Sequence, residues 1–208
     1  MAIEINIRDY RSEDASKVVE VFRNSYNTLR KSKGGMHQDD QVEQALHTSD
    51  KNILARMTYE VMLVVAEAKE TGEIVGTGGI SFGLMSRLLN STYSRNHYVK
   101  EAYQRGRAGV SVGSMLRRAT IEKARSMGFR KIYGFSTPES KGFHQRFGAV
   151  FFPAYDMTFS ETTVAFNYYE IHLRRSIWNR IIIEPYIARM KKLYFQKIRK
   201  WQKRSTLS

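Results

Sequence analysis

The sequence predicts a single α/β unit with mixed strand pairing, followed by a basic helical tail. Three observations carry that expectation. Segments of strand period and helix period alternate from residue 3 to about residue 173. The turn Lys69-Glu70-Thr71-Gly72 joins two strand-like runs, Tyr59 to Ala68 and Glu73 to Phe82, into a hairpin. From Pro185 onward Ile187, Met190, Tyr194, Ile198 and Trp201 recur at three or four residues among lysines and arginines, the pattern of a basic amphipathic helix.

In chain order, Ile3, Ile5 and Ile7 alternate as in a half-buried strand. Ser12 reads as an N-cap, with Glu13 and Asp14 in a first turn where the helix dipole favours acids. Val18, Val19, Phe22, Tyr26 and Leu29 then form a helical stripe ending at Gly34-Gly35, and a weaker helical stretch covers 39 to 57. After the hairpin, 83 to 96 lacks a period and reads as loop with a helical turn at Leu84 to Leu89. A strand is expected at 97 to 104, a glycine-bearing bend at 105 to 113, and a helix from Val112 to Met127 closed by Gly128. A short strand at Ile132 to Phe135, a helix opened by Pro138 and stopped by Gly148, and strands at 149 to 159 and 162 to 173 complete the body. No Pro, Gly or Ser-rich linker interrupts it, so residues 1 to 173 form one domain and 174 to 208 the tail.

Composition excludes whole classes. At 42% hydrophobic and 12% aromatic the chain is too apolar to be disordered. With no cysteine it has no disulfide scaffold, thiolate metal site or cysteine nucleophile. Glu4, Arg8 and Asp9 stand where a secretory signal needs an apolar stretch, and no apolar run reaches the ~18 residues of a spanning helix. A cytoplasmic protein is expected, with a peripheral place at the inner membrane surface open to its tail. The tail carries +10 of the formal +14, so an anionic partner is an expectation for the tail and not for the body. An acidic membrane surface, an acyl carrier protein and RNA all fit it. So does plain packing of the apolar stripe on the body or on a second subunit, as in a homodimer.

The bend before the helix at 112 is the candidate site. A strand that gives way to small residues and then a helix gathers unpaired N–H groups and a positive dipole end, which suits phosphate. In Ala108-Gly109-Val110-Ser111-Val112-Gly113 the small side chains let backbone approach an anion, and Arg105 and Arg107 stand beside it. A tight turn without a ligand reads equally well from the hexapeptide alone. Neither the Gly-Lys-Ser/Thr phosphate loop nor the dinucleotide glycine trio is present.

The order of elements, with ETGEIVGTGGI in the hairpin, the bend and its helix, and FHQRFGAVFF after the next strand, resembles the GNAT superfamily of acyl-CoA-dependent N-acyltransferases over residues 3 to about 173. The resemblance implies a mixed, mostly antiparallel central sheet flanked by helices, and acetyl-CoA or another acyl-CoA as co-substrate. In that family the coenzyme A pyrophosphate lies on Gln/Arg-x-x-Gly-x-Gly/Ala followed by a leucine. Here Gly113 and Leu116 match, while Ala108 replaces Gln/Arg and Ser111 replaces the middle glycine. Arg107, Ala108, Gly109, Val110, Ser111, Val112, Gly113 and Ser114 are thereby implied to cradle the cofactor, with Val99 at the strand end before them. In the second family motif, Thr137, Ser140, Phe143 and His144 take the places of the usual Asn, Ala and Tyr. Thr137 and Phe143 are implied to contact the cofactor arm, and His144 to protonate the departing thiolate or else to be a helix histidine without a role.

The family mechanism is direct attack of a primary amine on the acyl thioester in a ternary complex. Backbone N–H groups at about 99 to 103 would polarise the thioester carbonyl. Glu101 is the nearest carboxylate able to act as base, with Tyr103 and Tyr98 as alternatives, and Tyr168 and Tyr169 are candidates to shape the acceptor pocket. The histidines lack the spacing of a zinc site, Asp39-Asp40 reads as a helix-start acid pair, and no Gly-x-Ser-x-Gly elbow occurs, so no metal is expected. Two further enzymes stay open, an N-acyltransferase fed by acyl carrier protein and an aminoacyl-RNA acetyltransferase. A non-catalytic body that binds membrane or nucleic acid through its tail is the other class.

Overall fold

A computed structural model describes residues 3–31, 39–106, 109, 111–136, 140–152, 155–159 and 162–173. The predicted tail helix, the helix end at Gly34-Gly35 and the helix start at Pro138 lie outside them. Eight strands form one sheet: β1 (Ile5–Asp9), β2 (Val61–Ala68), β3 (Glu73–Ser81), β4 (Ser91–Val99), β5 (Lys131–Ser136), β6 (Ala149–Phe151), β7 (Tyr155–Phe159) and β8 (Thr162–His172). The order is β1-β2-β3-β4-β5-β8-β6, with β7 also paired to β8. All these pairs are antiparallel except β4 with β5, so the sheet is mixed and mostly antiparallel. Helices α1 (Ala15–Lys31), α2 (Asp39–His47), α3 (Asp50–Thr58), α4 (Leu84–Leu88), α5 (Val112–Ser126) and α6 (Lys141–Gln145) complete it.

β2 is buried on both faces, and its alternation sorts the core into two layers. Leu63 and Val65 pack with Val18, Phe22, Ile53 and Met57 of α1 and α3. Val64 and Ala66 pack with Val112 and Leu116 of α5. A strand covered on both sides reads as a continuous apolar run, as this one does. Gly76 of β3 lets α5 come close: an added Cβ would lie 3.1 Å from Tyr98 O and 3.2 Å from Val112 Cγ1. Among the described residues no helix is long and apolar enough to cross a membrane.

Several boundaries differ from the sequence pattern, each for a local reason. Ser12 is not the cap. It lies in a 3-10 turn, Ser12–Asp14, where the Asp14 carboxylate accepts the Arg11 N–H at 2.9 Å and pairs with Arg8 at 2.7 Å. The stretch 39 to 57 is two helices, because the Ser49 side chain caps a second start. The helical turn expected at Leu84 to Leu89 is α4, but the rest of the segment read as loop holds most of β4, whose Ser91-Thr92-Tyr93 are set by pairing with β5 rather than by an apolar period. The strand expected at 97 to 104 ends at Val99, and Glu101–Gly106 form a 3-10 turn. The run 149 to 159 is likewise divided into β6 and β7.

β4 and β5 stay together only briefly. Their register runs from Ser91 opposite Lys131 to Tyr93 opposite Tyr133 and then stops. On its other edge β4 bulges between Arg95, opposite Gly79, and Tyr98, opposite Thr77. Asn96 takes a positive φ of 55° there, donating its side-chain amide to Met57 O at 2.9 Å while its carbonyl accepts the Thr77 hydroxyl at 2.8 Å. Bulges re-aim a strand, and Asn tolerates this conformation better than other side chains.

The divergence is spanned by a buried polar cluster. Arg117 of α5 donates to Ser94 Oγ on β4 at 2.6 Å and to the Tyr169 hydroxyl on β8 at 2.9 Å. His144 of α6 stacks on the Tyr169 ring with centroids 4.3 Å apart. Burial and the nearby guanidinium push His97 well below the usual histidine value and His144 down to about 3.

Both histidines are therefore neutral at pH 7, and the fold loses stability on acidification through them. In the unfolded chain each takes up a proton near pH 6.5, whereas the folded chain resists protonation to much lower pH. Between those values the unfolded state binds more protons, so stability drops as pH falls. Denaturant unfolding at pH 7.5 and pH 5.0 should show a lower midpoint at pH 5.0. In His144→Phe, which keeps the ring stack, the drop should be about half as large. An equal drop in both proteins would show that His144 is not held neutral.

Candidate active site

A cavity of about 430 Å³ lies between the end of β4, the first turn of α5 and the α6 segment. One wall is Val99, at the free end of β4. Opposite it, Phe143 of α6 stands against the first turn of α5, and a Cβ added to Gly113 would lie 3.7 Å from its ring. The floor is Ser111, Val112 and Gly113, and Thr77 and His97 close the inner end. Ser25 of α1 and Tyr103 border it on the α1 side.

The first turn of α5 leaves N–H groups without carbonyl partners in the helix. Ser111 Oγ donates to Ser114 Oγ at 2.8 Å, so two hydroxyls lie at that turn as well. Arg146 lines the same cavity, its guanidinium carbon 5.6 Å from the Phe143 ring centre. Donors, dipole and cation thus line one cavity, a combination that suits a phosphate group.

At the β4 end, the Lys100 N–H donates to Val75 O at 2.9 Å. Strand alternation then turns the N–H and C=O of Val99 toward the gap facing β5. The Val99 carbonyl accepts the Gln104 side-chain amide at 2.7 Å.

The turn after β4 holds the ionisable groups. Lys100 is buried and its Nζ reaches Glu20 at 2.5 Å and Glu73 at 2.7 Å. The Tyr103 hydroxyl donates to the other Glu73 oxygen at 3.0 Å. Lys100 holds the Glu73 carboxylate below its usual range, and desolvation with Glu73 raises the Tyr103 phenol. Glu101 does not border the cavity. Its N–H donates to Asn24 Oδ1 at 2.8 Å and its carboxylate accepts Thr28 Oγ1 at 3.5 Å, which fastens α1 to this turn.

Of the residues expected at the site, Val99, Tyr103, Ser111, Val112, Gly113 and Phe143 border one cavity. Gly109, with φ 74°, is exposed beside it, and Ser114 is one turn into α5. His144 is buried against Tyr169 with Nδ1 unpartnered, behind the Phe143 wall rather than on it. Tyr98, the other phenol considered, packs in the core beside Phe22 and Tyr26. Arg107, Ala108, Val110 and Thr137 lie outside the described residues. Sequence reasoning missed Ser25, Thr77, His97 and Arg146. It also missed Arg117, although a charged residue on the stripe Val112, Leu116, Thr120, Ile121, Ala124 was a legible anomaly. Among the described residues no group of His, Cys, Asp and Glu could hold a metal ion.

No family model matches the sequence, and no curated protein matches it. The architecture is nonetheless a known one. A GCN5-related N-acetyltransferase from Rhodopseudomonas palustris superposes with a TM-score of 0.64 at 18% identity, covering 83% of this chain and 98% of the other. A phosphinothricin acetyltransferase from Sinorhizobium meliloti, in complex with acetyl-CoA, gives 0.60 at 17% identity over 80% and 86% of the two chains. PaiA N-acetyltransferase from Thermoplasma acidophilum, in complex with coenzyme A, gives 0.57 at 15% identity over 82% and 99%. With its mostly antiparallel sheet flanked by helices, the chain has the fold of the GNAT superfamily.

Proposed function

We propose that the chain is an acyl-CoA-dependent N-acyltransferase, most simply an acetyltransferase, acting on a primary amine. The observation that carries this reading is the cavity between the end of β4 and α6, floored by the open first turn of α5. Solved proteins of the same fold hold coenzyme A or acetyl-CoA, and the residues here suit that co-substrate. The α5 turn with Ser111, Ser114 and Arg146 takes the pyrophosphate. Gly113 leaves room for the chain beside Phe143, and the Val99 N–H polarises the thioester carbonyl.

The neutral amine nitrogen attacks that carbonyl, the C–S bond breaks, the nitrogen gives up its extra proton to solvent, and the departing sulfur takes a proton. Tyr103 is the phenol on the cavity that can deliver it, and solvent restores its proton. His144, neutral and behind the wall, acts by packing on Tyr169 instead of as the acid. Glu101 anchors α1 and serves as no direct base. A carrier-protein donor is the second reading, favoured by the basic tail and by Ala108 in place of Gln/Arg.

Isothermal titration of the full-length protein with acetyl-CoA should give micromolar binding. Gly113→Gln should weaken it at least about tenfold, ~1.4 kcal/mol, at an unchanged melting temperature, since a Cβ there meets only ordinary contacts. If acyl carrier protein binds while acetyl-CoA and coenzyme A do not, the second reading replaces the first. Release of free coenzyme A from acetyl-CoA with a panel of primary amines should fall about a hundredfold in Tyr103→Phe, with acetyl-CoA affinity within about threefold. The same assay should change less than about threefold in Glu101→Gln. The reverse order of the two variants would return the proton transfer to Glu101.

A further inference from the structure

His97, which lines the cavity, is backed by a cation, Arg117, with no acid among its described partners. Arg117 is fully buried. Its Nη1 donates to Ser94 Oγ and stands 3.4 Å from His97 Nε2, and its Nη2 donates to the Tyr169 hydroxyl. The guanidinium carbon lies 5.4 Å from the Tyr169 ring centre, and Nε has no partner. None of these partners is a carboxylate. A guanidinium buried among neutral dipoles is costly, so the surrounding chain must be shaped to hold it.

It is so shaped. A Cβ on Gly134 would fall 2.7 Å from the Tyr169 hydroxyl, so the space over β5 is taken by that phenol. A Cβ on Gly78 would fall 3.1 Å from the His97 ring and 3.3 Å from Thr120 Cγ2, so the space over β3 is taken by the imidazole. Behind His97 there is therefore a filled polar cluster in place of an apolar slot.

We propose that Arg117, with His97 in front of it, is the specificity-determining group that restricts the site to short acyl chains such as acetyl and propionyl. An aliphatic chain long enough to pass His97 would lie against a desolvated cation. It would forgo the roughly fourfold gain in affinity that each methylene obtains in an apolar slot. The inference rests on the acyl-CoA reading above and, within it, selects short thioesters over the long acyl chains of a carrier-fed enzyme.

Titration of the full-length protein with acetyl-CoA, butyryl-CoA and octanoyl-CoA tests it. Wild type should bind octanoyl-CoA no more tightly than acetyl-CoA. Arg117→Leu should move the octanoyl-to-acetyl affinity ratio at least about tenfold toward octanoyl, while Arg117→Lys keeps the wild-type order. A loosened fold that weakens both ligands leaves this ratio unchanged. Should Arg117→Leu not fold, Arg117→Met, which removes the charge but keeps an unbranched side chain, should move the ratio the same way. Wild type preferring octanoyl-CoA tenfold, or an unchanged ratio in folded variants, would overturn the proposal. If none of the three thioesters binds wild type, the acyl-CoA reading itself fails and this inference falls with it.

Discussion

The molecule is organised around the point where β4 and β5 part. Parallel pairing holds them only from Ser91 to Tyr93, and beyond that a sheet would normally be expected to continue or end. Instead the Arg117 guanidinium spans the divergence, tied to Ser94 on one side and Tyr169 on the other. Gly134 and Gly78 have no side chain because a phenol and an imidazole occupy those places.

α5 serves both sides of that arrangement. Its first turn supplies the open N–H groups at the cavity floor, while Leu116 and Val112 press into the space left by Gly76. One turn further on, Arg117 leaves the apolar contact and enters the polar cluster. Across the cavity, Lys100, Glu73 and Tyr103 form a second network that fixes the end of β4. Because Lys100 satisfies Glu73, the carboxylate stays ionised and can hold the phenol in place. Proposed acyl transfer thus draws on two rigid edges, with the reacting groups carried by a strand end and a helix start.

The sequence made the outer architecture legible and the inner site only partly so. The hairpin, α1 and α5 followed from apolar period and end signals, because those elements bury one or two regular faces. β4 was misplaced because its own residues, Ser91 to Asn96, are polar; its position is imposed by pairing and by a bulge that only tertiary contacts specify. Ser111, Val112 and Gly113 stand at the start of α5 and on the cavity, and the helix start was legible because it is a local feature. His97 and Arg117 went unnoticed for the opposite reason. Their meaning depends on Tyr169 and Ser94, which reach them from distant parts of the chain.

The central claim, that an acyl-CoA lies in the cavity between the end of β4 and α6, is tested most directly by hydrogen–deuterium exchange with and without acetyl-CoA. The account predicts added protection at His97 to Val99 and at the first turn of α5, residues 111 to 116, with little change in β1 and β2. Protection absent from both segments, or confined to regions away from the cavity, would contradict it.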